Sequence, residues 1–246
     1  MILGTAVWNV TTRTKAGSLR FRPAVLARFV ARKIRALAAH VVGNAIALFT
    51  RLLTAARVNW VGIEPIQRKR VYFANHTSNA DFVLIWTVLP PALRARTRPV
   101  AASDYWLKSK LRAFAGRDVF RAVLIDRNRE TRKADPVELM AEALDRGSSL
   151  IMFPEGKRNM GPDRLLPFKT GLYHLARARP DVDLVPVWID NLNRVMPKGE
   201  IVPLPLICSV SFGAPIHRSS GEGKTAFLTR AHGALLALAG DEETGT

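Results

Sequence analysis

The sequence predicts an α/β fold, in which a mixed sheet is flanked by helices and preceded by an N-terminal amphipathic helical membrane-association segment. Two observations indicate this. After Glu64, short apolar runs alternate with helical patterns, which is typical of a sheet that helices cover on both faces. Before Glu64, the chain holds ten Lys or Arg residues, no Asp or Glu, and one long apolar run. We therefore predict a basic, helical membrane-association segment at residues 1–63 and one α/β domain at residues 64–246.

The composition is that of an ordinary folded protein with a strong positive charge. Of the 246 residues, 48% are hydrophobic and 23% are charged, which excludes disordered, collagen-like and coiled-coil chains. The formal net charge of +17 indicates an anionic partner: a nucleic acid, an acidic lipid surface or a phosphorylated substrate. Cys208 is the single cysteine, so an intramolecular disulfide and a cysteine-rich zinc site are excluded.

The apolar run of the N-terminal segment is Ala36–Thr50, which lies between Arg35 and Arg51. A helix of this length is about 22 Å long, shorter than the roughly 30 Å hydrocarbon core of a bilayer. A thin polar stripe on an otherwise apolar helix with flanking arginines is typical of a helix in the membrane interface. The residues favour an interfacial helix and a helix packed on the domain core about equally, and a mitochondrial transit peptide is a third alternative.

In the second part of the chain, apolar runs bounded by Gly, Pro and polar turns define the elements. The predicted strands are Arg70–Ala74, Pro99–Ala102, Val119–Ile125, Ser149–Phe153, Leu184–Ile189 and Leu206–Phe212. The predicted helices are Phe82–Leu89, Trp106–Ala115, a helix that ends at Arg146, Thr170–Arg179 and Lys224–Ala239. Pro90-Pro91 closes the first of these helices and Gly116 the second, while Asp135-Pro136 is an N-cap and first-turn signal for the third.

The first polar motif, Asn75-His76-Thr77-Ser78-Asn79-Ala80-Asp81, follows a predicted strand and leads into a helix. His76 and Asp81 are five residues apart, so both side chains can face one crevice. A carboxylate on one imidazole nitrogen fixes the tautomer and leaves the other nitrogen free to accept a proton. Ligands of open α/β sheets bind beyond the carboxyl ends of strands, so this position favours a catalytic pair over an ordinary polar contact.

The second motif, Phe153-Pro154-Glu155-Gly156-Lys157-Arg158, also follows a predicted strand. Its order of apolar, acidic and basic residues predicts a rigid turn with opposite charges. We expect Glu155 to neutralise and orient Arg158, whose guanidinium would bind an anionic group. A structural ion pair in a loop is the alternative.

The order of these motifs resembles the glycerolipid acyltransferases, among them the 1-acyl-sn-glycerol-3-phosphate (lysophosphatidate) acyltransferases. The matching blocks are His76 to Asp81, a strand that ends in Asp126-Arg127, Phe153 to Arg158, and Val185-Pro186-Val187. The resemblance implies that His76 is a general base and that Asp81 orients it. It also implies that Arg127, Glu155, Gly156 and Arg158 bind the acceptor, and that Val185, Pro186 and Val187 line an acyl channel.

The reaction implied by the resemblance transfers a fatty-acyl group from a thioester to the free hydroxyl of a lysophospholipid. The donor is acyl-CoA or acyl carrier protein as a co-substrate, and the expected acceptor is 1-acyl-sn-glycerol-3-phosphate. No cofactor and no metal are expected, since the other histidines lack ligand spacing. The expected location is peripheral and monotopic, on the cytoplasmic face of a membrane with an anionic surface.

Three positions depart from the family pattern and concern the acceptor. Lys157 and Asn159 replace a threonine and a serine, and Ser103 stands where many members have a lysine. We therefore count Lys157 and Lys169 among the predicted acceptor-binding residues, as sources of the missing charge. An acceptor such as a lyso-aminolipid or another lysophospholipid is the alternative. A basic nucleic-acid-binding protein is the alternative from another class, but no recognised nucleic-acid-binding motif supports it.

Overall fold

The computed structural model describes residues 11–13, 19–21, 23–128, 130, 132–190 and 208–240. Its strands are β1 (Thr11–Arg13), β2 (Leu19–Phe21), β3 (Arg57–Trp60), β4 (Arg70–Ala74), β5 (Thr97–Ala102), β6 (Val123–Ile125), β7 (Ser149–Met152), β8 (Asp183–Asp190) and β9 (Ser209–Phe212). Its helices are α1 (Pro23–Thr54), α2 (Asp81–Val88), α3 (Pro91–Arg94), α4 (Ser103–Trp106), α5 (Lys110–Phe114), α6 (Pro136–Asp145), α7 (Gly171–Ala178) and α8 (Lys224–Leu236), with a π-helical turn at Ala115–Val119.

The central sheet has seven strands in the order β3-β9-β8-β4-β7-β5-β6, and β1 and β2 form a separate antiparallel pair. Strands β8, β4, β7, β5 and β6 are parallel to one another. Strand β9 is antiparallel to β8, and β3 is parallel to β9. The predicted mixed α/β fold is therefore confirmed. We call the edge where the five parallel strands end the carboxyl edge, and the opposite edge the amino edge.

Helices cover both faces of the sheet, as the burial of its central strands requires. Side chains of β4 alternate between the faces: Tyr72 and Ala74 pack with α1 and α2, whereas Val71 and Phe73 pack with α6, α7 and α8. All five residues of β4 are buried. Because burying a large apolar side chain contributes about 1.5–3 kcal/mol, the residues that follow β4 are attached to a well-buried strand of the core.

Helix α1 is one continuous helix of 32 residues, about 48 Å long at 1.5 Å per residue. Its packed side has small residues, Ala39, Gly43 and Ala47, which allow a close approach to the domain. A Cβ on Gly43 would lie 3.4 Å from both Trp86 and Val119.

The outer side of α1, opposite these small residues at 100° per residue, is apolar and exposed. Its exposed large side chains, together with those on the flanks, are Leu26, Val30, Ile34, Leu37, Val41, Val42, Leu48, Phe49 and Leu52. Residues Val25–Thr54 are long and apolar enough to cross a membrane by length and composition. The length expected from Ala36–Thr50 alone was therefore wrong, because the helix continues through the basic residues before this run.

Two other predicted elements differ from the structure. The helix expected at Trp106–Ala115 is divided into α4, α5 and the π-helical turn. Gly116 of this turn lies against the Trp106 ring, because a Cβ on Gly116 would be 3.0 Å from a ring carbon. Gly116 therefore does not end the helix; its missing side chain lets the turn pass the indole. The following strand begins at Val123 instead of Val119, and of the strand predicted at Leu206–Phe212 the first two residues lie outside the described residues.

Strand β3 was not predicted. It is an outermost strand of the sheet, next to β9, and its Trp60 stacks on Phe212 of β9 with ring centroids 4.2 Å apart. The predicted boundary between residues 63 and 64 falls after this strand, so the sheet takes one strand from the N-terminal part of the chain.

Candidate active site

The side chain of Asn75 extends the pairing between β4 and β8 by one residue at the carboxyl edge. Its Nδ2 donates to the carbonyl oxygen of Ile189 at 2.9 Å, and its Oδ1 accepts from the Ile189 N–H at 2.8 Å. Asn75 is buried. The backbone of β4 ends at Ala74, and the two side-chain bonds then fix Asn75 against β8 directly before His76.

The imidazole of His76 is held by the carboxylate of Asp81, the first residue of α2. Nδ1 of His76 lies 2.8 Å from Oδ2 of Asp81, which also accepts from the backbone N–H groups of Thr77 and Ser78 at 2.7 and 2.9 Å. The ring stacks on Phe153 with centroids 4.2 Å apart. With both the hydrogen bond and the stacking in place, the ring has one orientation.

Burial governs the electrostatics of this pair. Asp81 is fully buried, which raises the pKa of its carboxyl above the ordinary value, while hydrogen bonds from His76, Ser78 and Thr77 act in the opposite direction. The His76 side chain is 22% exposed, and its Nε2 makes no hydrogen bond to any residue that the structure describes. With Nδ1 facing a carboxylate, Nε2 is the nitrogen that can accept a proton from a molecule in the crevice.

Glu155 binds the backbone of the first motif. Its Oε1 accepts from the N–H of His76 at 2.7 Å and its Oε2 from the N–H of Leu166 at 3.0 Å, with the side chain buried. Burial raises the pKa of Glu155, and the two backbone hydrogen bonds oppose this rise. The expectation that Glu155 orients Arg158 was therefore wrong, because both carboxylate oxygens are used by backbone donors.

The second motif forms an exposed basic turn next to the imidazole. Gly156 has φ +70°, and a Cβ there would lie 2.6 Å from the aliphatic chain of Lys169. Lys157 and Arg158 are exposed. The N–H of Asn159 donates to the carbonyl oxygen of His76 at 2.6 Å. The turn is thus attached to the His76 backbone on both sides, through Glu155 and Asn159.

The remaining predicted site residues lie further away or deeper. Arg127 follows β6, three strands from β4 and so roughly 14 Å along the carboxyl edge. It is exposed, and it donates to Asp104 Oδ2 at 2.7 Å. Val185, Pro186 and Val187 pair with Tyr72, Phe73 and Ala74 inside the sheet and are buried.

Sequence reasoning missed three residues of this site: Asn75, Phe153 as the stacking partner, and Asn159. A polar residue directly after the run Val71-Tyr72-Phe73-Ala74 was the available signal for Asn75. The sequence contains no comparable signal for Asn159, because its hydrogen bond to His76 exists only in the folded chain. Within the described residues, no group of three or more His, Cys, Asp or Glu side chains is arranged to hold a metal ion.

The sequence is similar to those of curated acyltransferases. The chain is 34% identical over 138 residues to the 1-acyl-sn-glycerol-3-phosphate acyltransferase of Escherichia coli (strain K12), with 51% of each chain covered. It is 31% identical over 161 residues to the enzyme of the same description from Limnanthes alba, covering 63% of this chain and 53% of that protein. The chain spans about half the length of the curated relatives it matches.

The fold has a match among solved structures, and a family model matches the part of the chain that contains the site. The crystal structure of the 1-acyl-sn-glycerophosphate (LPA) acyltransferase from Thermotoga maritima superposes with a TM-score of 0.62 at 21% identity, covering 86% of this chain and 81% of that one. The likeness shows a common fold. The family model described as Acyltransferase matches residues 57–190, more than half of the chain. The chain therefore belongs to the acyltransferase family.

Proposed function

We propose that the protein transfers a fatty-acyl group from an acyl thioester to the free hydroxyl of 1-acyl-sn-glycerol-3-phosphate, giving phosphatidic acid for phospholipid biosynthesis. The observation that supports the reaction is the imidazole of His76, which buried Asp81 holds and whose side chain is partly exposed at the carboxyl edge. The description of the relatives supports the acceptor. Acyl-CoA and acyl carrier protein are both candidate donors.

In the proposed mechanism, Nε2 of His76 removes the proton of the acceptor hydroxyl as its oxygen attacks the thioester carbonyl. The carboxylate of Asp81 stabilises the imidazolium that forms. When the tetrahedral intermediate collapses, the C–S bond breaks and the imidazolium returns the proton to the departing thiolate. The histidine ends neutral, and no covalent acyl-enzyme is required.

The basic turn is the proposed site for the phosphate of the acceptor. Lys157, Arg158 and Lys169 are exposed beside Glu155, which itself is bonded to the His76 backbone. A phosphate held here would bring the acceptor hydroxyl to the base as an oriented group, which lowers the entropic cost of reaction. Arg127 is proposed to contribute at longer range. The acyl chain is proposed to approach the wall of β8 at Val185–Val187.

The experiment that tests the function is mass spectrometry of the products formed from a panel of lysolipids with both donor types. We expect phosphatidic acid from lysophosphatidate, and little product from neutral or zwitterionic lysophospholipids and lyso-aminolipids. If lysophosphatidate is ignored while another lysolipid is acylated, the proposed acceptor is wrong although the reaction stands. If no lysolipid is acylated by the folded protein, the reaction itself is refuted.

Replacing Arg158 by alanine is expected to raise the KM for the lysolipid about tenfold and to leave the KM for the thioester nearly unchanged. The loss of one charge-assisted hydrogen bond costs about 1.5–3 kcal/mol, and an exposed arginine belongs at the lower end. Steady-state kinetics with each substrate varied in turn gives both constants. Arg177→Ala, which removes an exposed arginine of α7, is the matched control. A rise in the thioester KM instead would assign the turn to the phosphates of the donor.

We also propose that α1 lies in the interface of the cytoplasmic membrane leaflet, with the domain bound peripherally. The apolar side of α1 opposite its packed side supports this orientation, and so do the basic residues along the helix. A helix crossing the bilayer over its whole length would lose the contacts of Ala39, Gly43 and Ala47 with the domain.

Leu48→Asp is expected to reduce partitioning onto anionic vesicles about tenfold, because Leu48 is 60% exposed on the outer side of α1. Asn44→Asp adds the same charge on the polar stripe of the helix and is expected to have a smaller effect. Vesicle flotation measures both variants. Release of the wild-type protein by high salt or carbonate is expected, whereas extraction by detergent alone would contradict the peripheral orientation.

A further inference from the structure

Four arginines converge on one cavity at the amino edge of the sheet. This arginine cavity has a volume of about 420 Å³, and it is lined by Arg98, Arg117, Arg121, Ala122, Arg146 and Ser148. Arg98 is near the start of β5, and Ser148 precedes β7. The cavity lies roughly 13 Å from the carboxyl edge, along the four residues of β5 that follow Arg98. It is therefore separate from the crevice that contains His76.

The positive charge of the cavity is only partly balanced. In the part of the chain that the structure describes, one carboxylate pairs with these arginines: Glu142, which is 2.9 Å from Arg146 at an exposed position. Arg98 and Arg121 donate to backbone carbonyl oxygens, of Arg121 and Ala95 respectively, and these bonds bring no negative charge. Burial, followed by the positive charges of Arg121 and Arg146, lowers the pKa of Arg98 below its ordinary value.

The backbone at Arg121, one of the residues that line the cavity, has a strained conformation. Arg121 has φ +53°, in the left-handed region that residues with a side chain rarely adopt. Its carbonyl oxygen accepts from Nε of Arg98, while the next residue, Ala122, donates its N–H to Gly116 at 2.7 Å. Strained backbone of this kind persists only where surrounding contacts enforce it, and it is concentrated at binding sites.

We propose that the arginine cavity binds a compact, multiply charged phosphate group outside the active site. A planar guanidinium donates two parallel hydrogen bonds to phosphate oxygens, and several guanidiniums around one centre require more than one negative charge. The volume is within the range of roughly 300–1,000 Å³ found for small-ligand sites. The phosphate is either free in solution or carried on a lipid head group, since the chemistry of recognition is the same.

The test is calorimetric titration of the full chain with pyrophosphate at constant ionic strength. We expect saturable binding by the wild-type protein and an affinity at least tenfold weaker in the double variant Arg117→Gln/Arg146→Gln. Arg177→Gln, which changes an exposed arginine outside the cavity, should bind like the wild type. The double variant should melt at the same temperature as the wild type or higher without ligand, because the positive charge of Arg146 next to Arg98 is removed. Equal binding by the double variant, or no preference for pyrophosphate over chloride, would overturn the proposal.

A second arm distinguishes the source of the phosphate. Vesicles of phosphatidylcholine with phosphatidic acid are compared with vesicles that contain phosphatidylglycerol at equal surface charge. If the phosphate is carried on a lipid, pyrophosphate should displace the wild type from the phosphatidic acid vesicles, and the double variant should bind them less. If it is free, vesicle binding should not respond to pyrophosphate. Tighter, salt-dependent binding of duplex DNA, lost in the double variant, would replace the proposed site by a nucleic-acid surface.

Discussion

His76→Ala is expected to lower the turnover of acyl transfer by about 10²–10⁴-fold, the contribution that a positioned general base typically makes. The bond to Asp81 and the stacking on Phe153 define one position for this ring, and an alanine leaves no base at that position. The measurement is initial rate with saturating donor and acceptor. A folded His76→Ala protein with near-native turnover would refute the proposed mechanism.

Asp81→Asn tests the other member of the same pair, and the hydrogen bonds of Asp81 indicate what this substitution changes. Oδ2 of Asp81 is surrounded by three donors, whereas its Oδ1 is buried without a hydrogen-bond partner among the described residues. An asparagine can therefore keep its oxygen on the backbone N–H groups of Thr77 and Ser78. What it loses is the charge that stabilises the imidazolium, so kcat should fall strongly while KM changes little.

The pH dependence of stability separates charge from geometry in this variant. Burial raises the pKa of Asp81 above its ordinary value of 3.8, so the folded chain holds this proton more tightly than the unfolded chain does. The resulting stabilisation is present below the ordinary pKa and is lost as the pH rises through the folded pKa. Asp81→Asn should therefore flatten the dependence of Tm on pH above about pH 4, relative to the wild type. Asp135→Asn, at a helix N-cap where both residues serve, is the control.

Glu155→Gln is expected to lower both the stability and the turnover. Each oxygen of Glu155 accepts from one backbone N–H, of His76 or of Leu166. The amide nitrogen of glutamine cannot accept, so one of these buried donors loses its partner at a cost of about 1–3 kcal/mol. Denaturant unfolding measures the stability, and steady-state kinetics measures the site.

The control for this variant is Glu138→Gln, which changes an exposed glutamate of α6 and should behave like the wild type. The kinetic constant that changes decides between two roles of Glu155. A fall in kcat supports its role in positioning the His76 backbone. A rise in the acceptor KM alone, with kcat and stability unchanged, would support the ion pair with Arg158 that was predicted from the sequence.

The sequence was sufficient for the parts of the protein that local patterns determine. Strands β4, β7 and β8 are apolar runs between turn residues. Because these strands are parallel, the polar residues that follow each of them lie at one edge of the sheet. This is why His76 and Asp81 could be paired from spacing alone. A five-residue separation across a strand end and a first helical turn leaves few other arrangements.

Contacts between distant segments were not predictable in this way. The partner of Glu155 at Leu166 lies in an irregular loop, where no periodicity constrains the backbone. Helix α1 was too short in the prediction because charged residues interrupt the apolar pattern, although they do not interrupt helical hydrogen bonding. The division of Trp106–Ala115 depends on how Gly116 meets an indole ring, which is a property of packing.

The two halves of the site are held differently: the side chain of Asn75 is bonded to Ile189 of β8, whereas Lys157 and Arg158 are exposed. Residues bonded into a central sheet exchange their amide hydrogens only when the sheet itself unfolds, whereas exposed turns exchange by small local openings. We expect the N–H of His76, which donates to buried Glu155, to exchange slowly, and the N–H groups of exposed Lys157 and Arg158 to exchange faster. On warming, we therefore expect the turn to loosen at temperatures where the geometry of His76 and Asp81 is still intact. If the turn binds the acceptor as proposed, substitutions of Lys157 or Arg158 should change acceptor binding with little effect on the base.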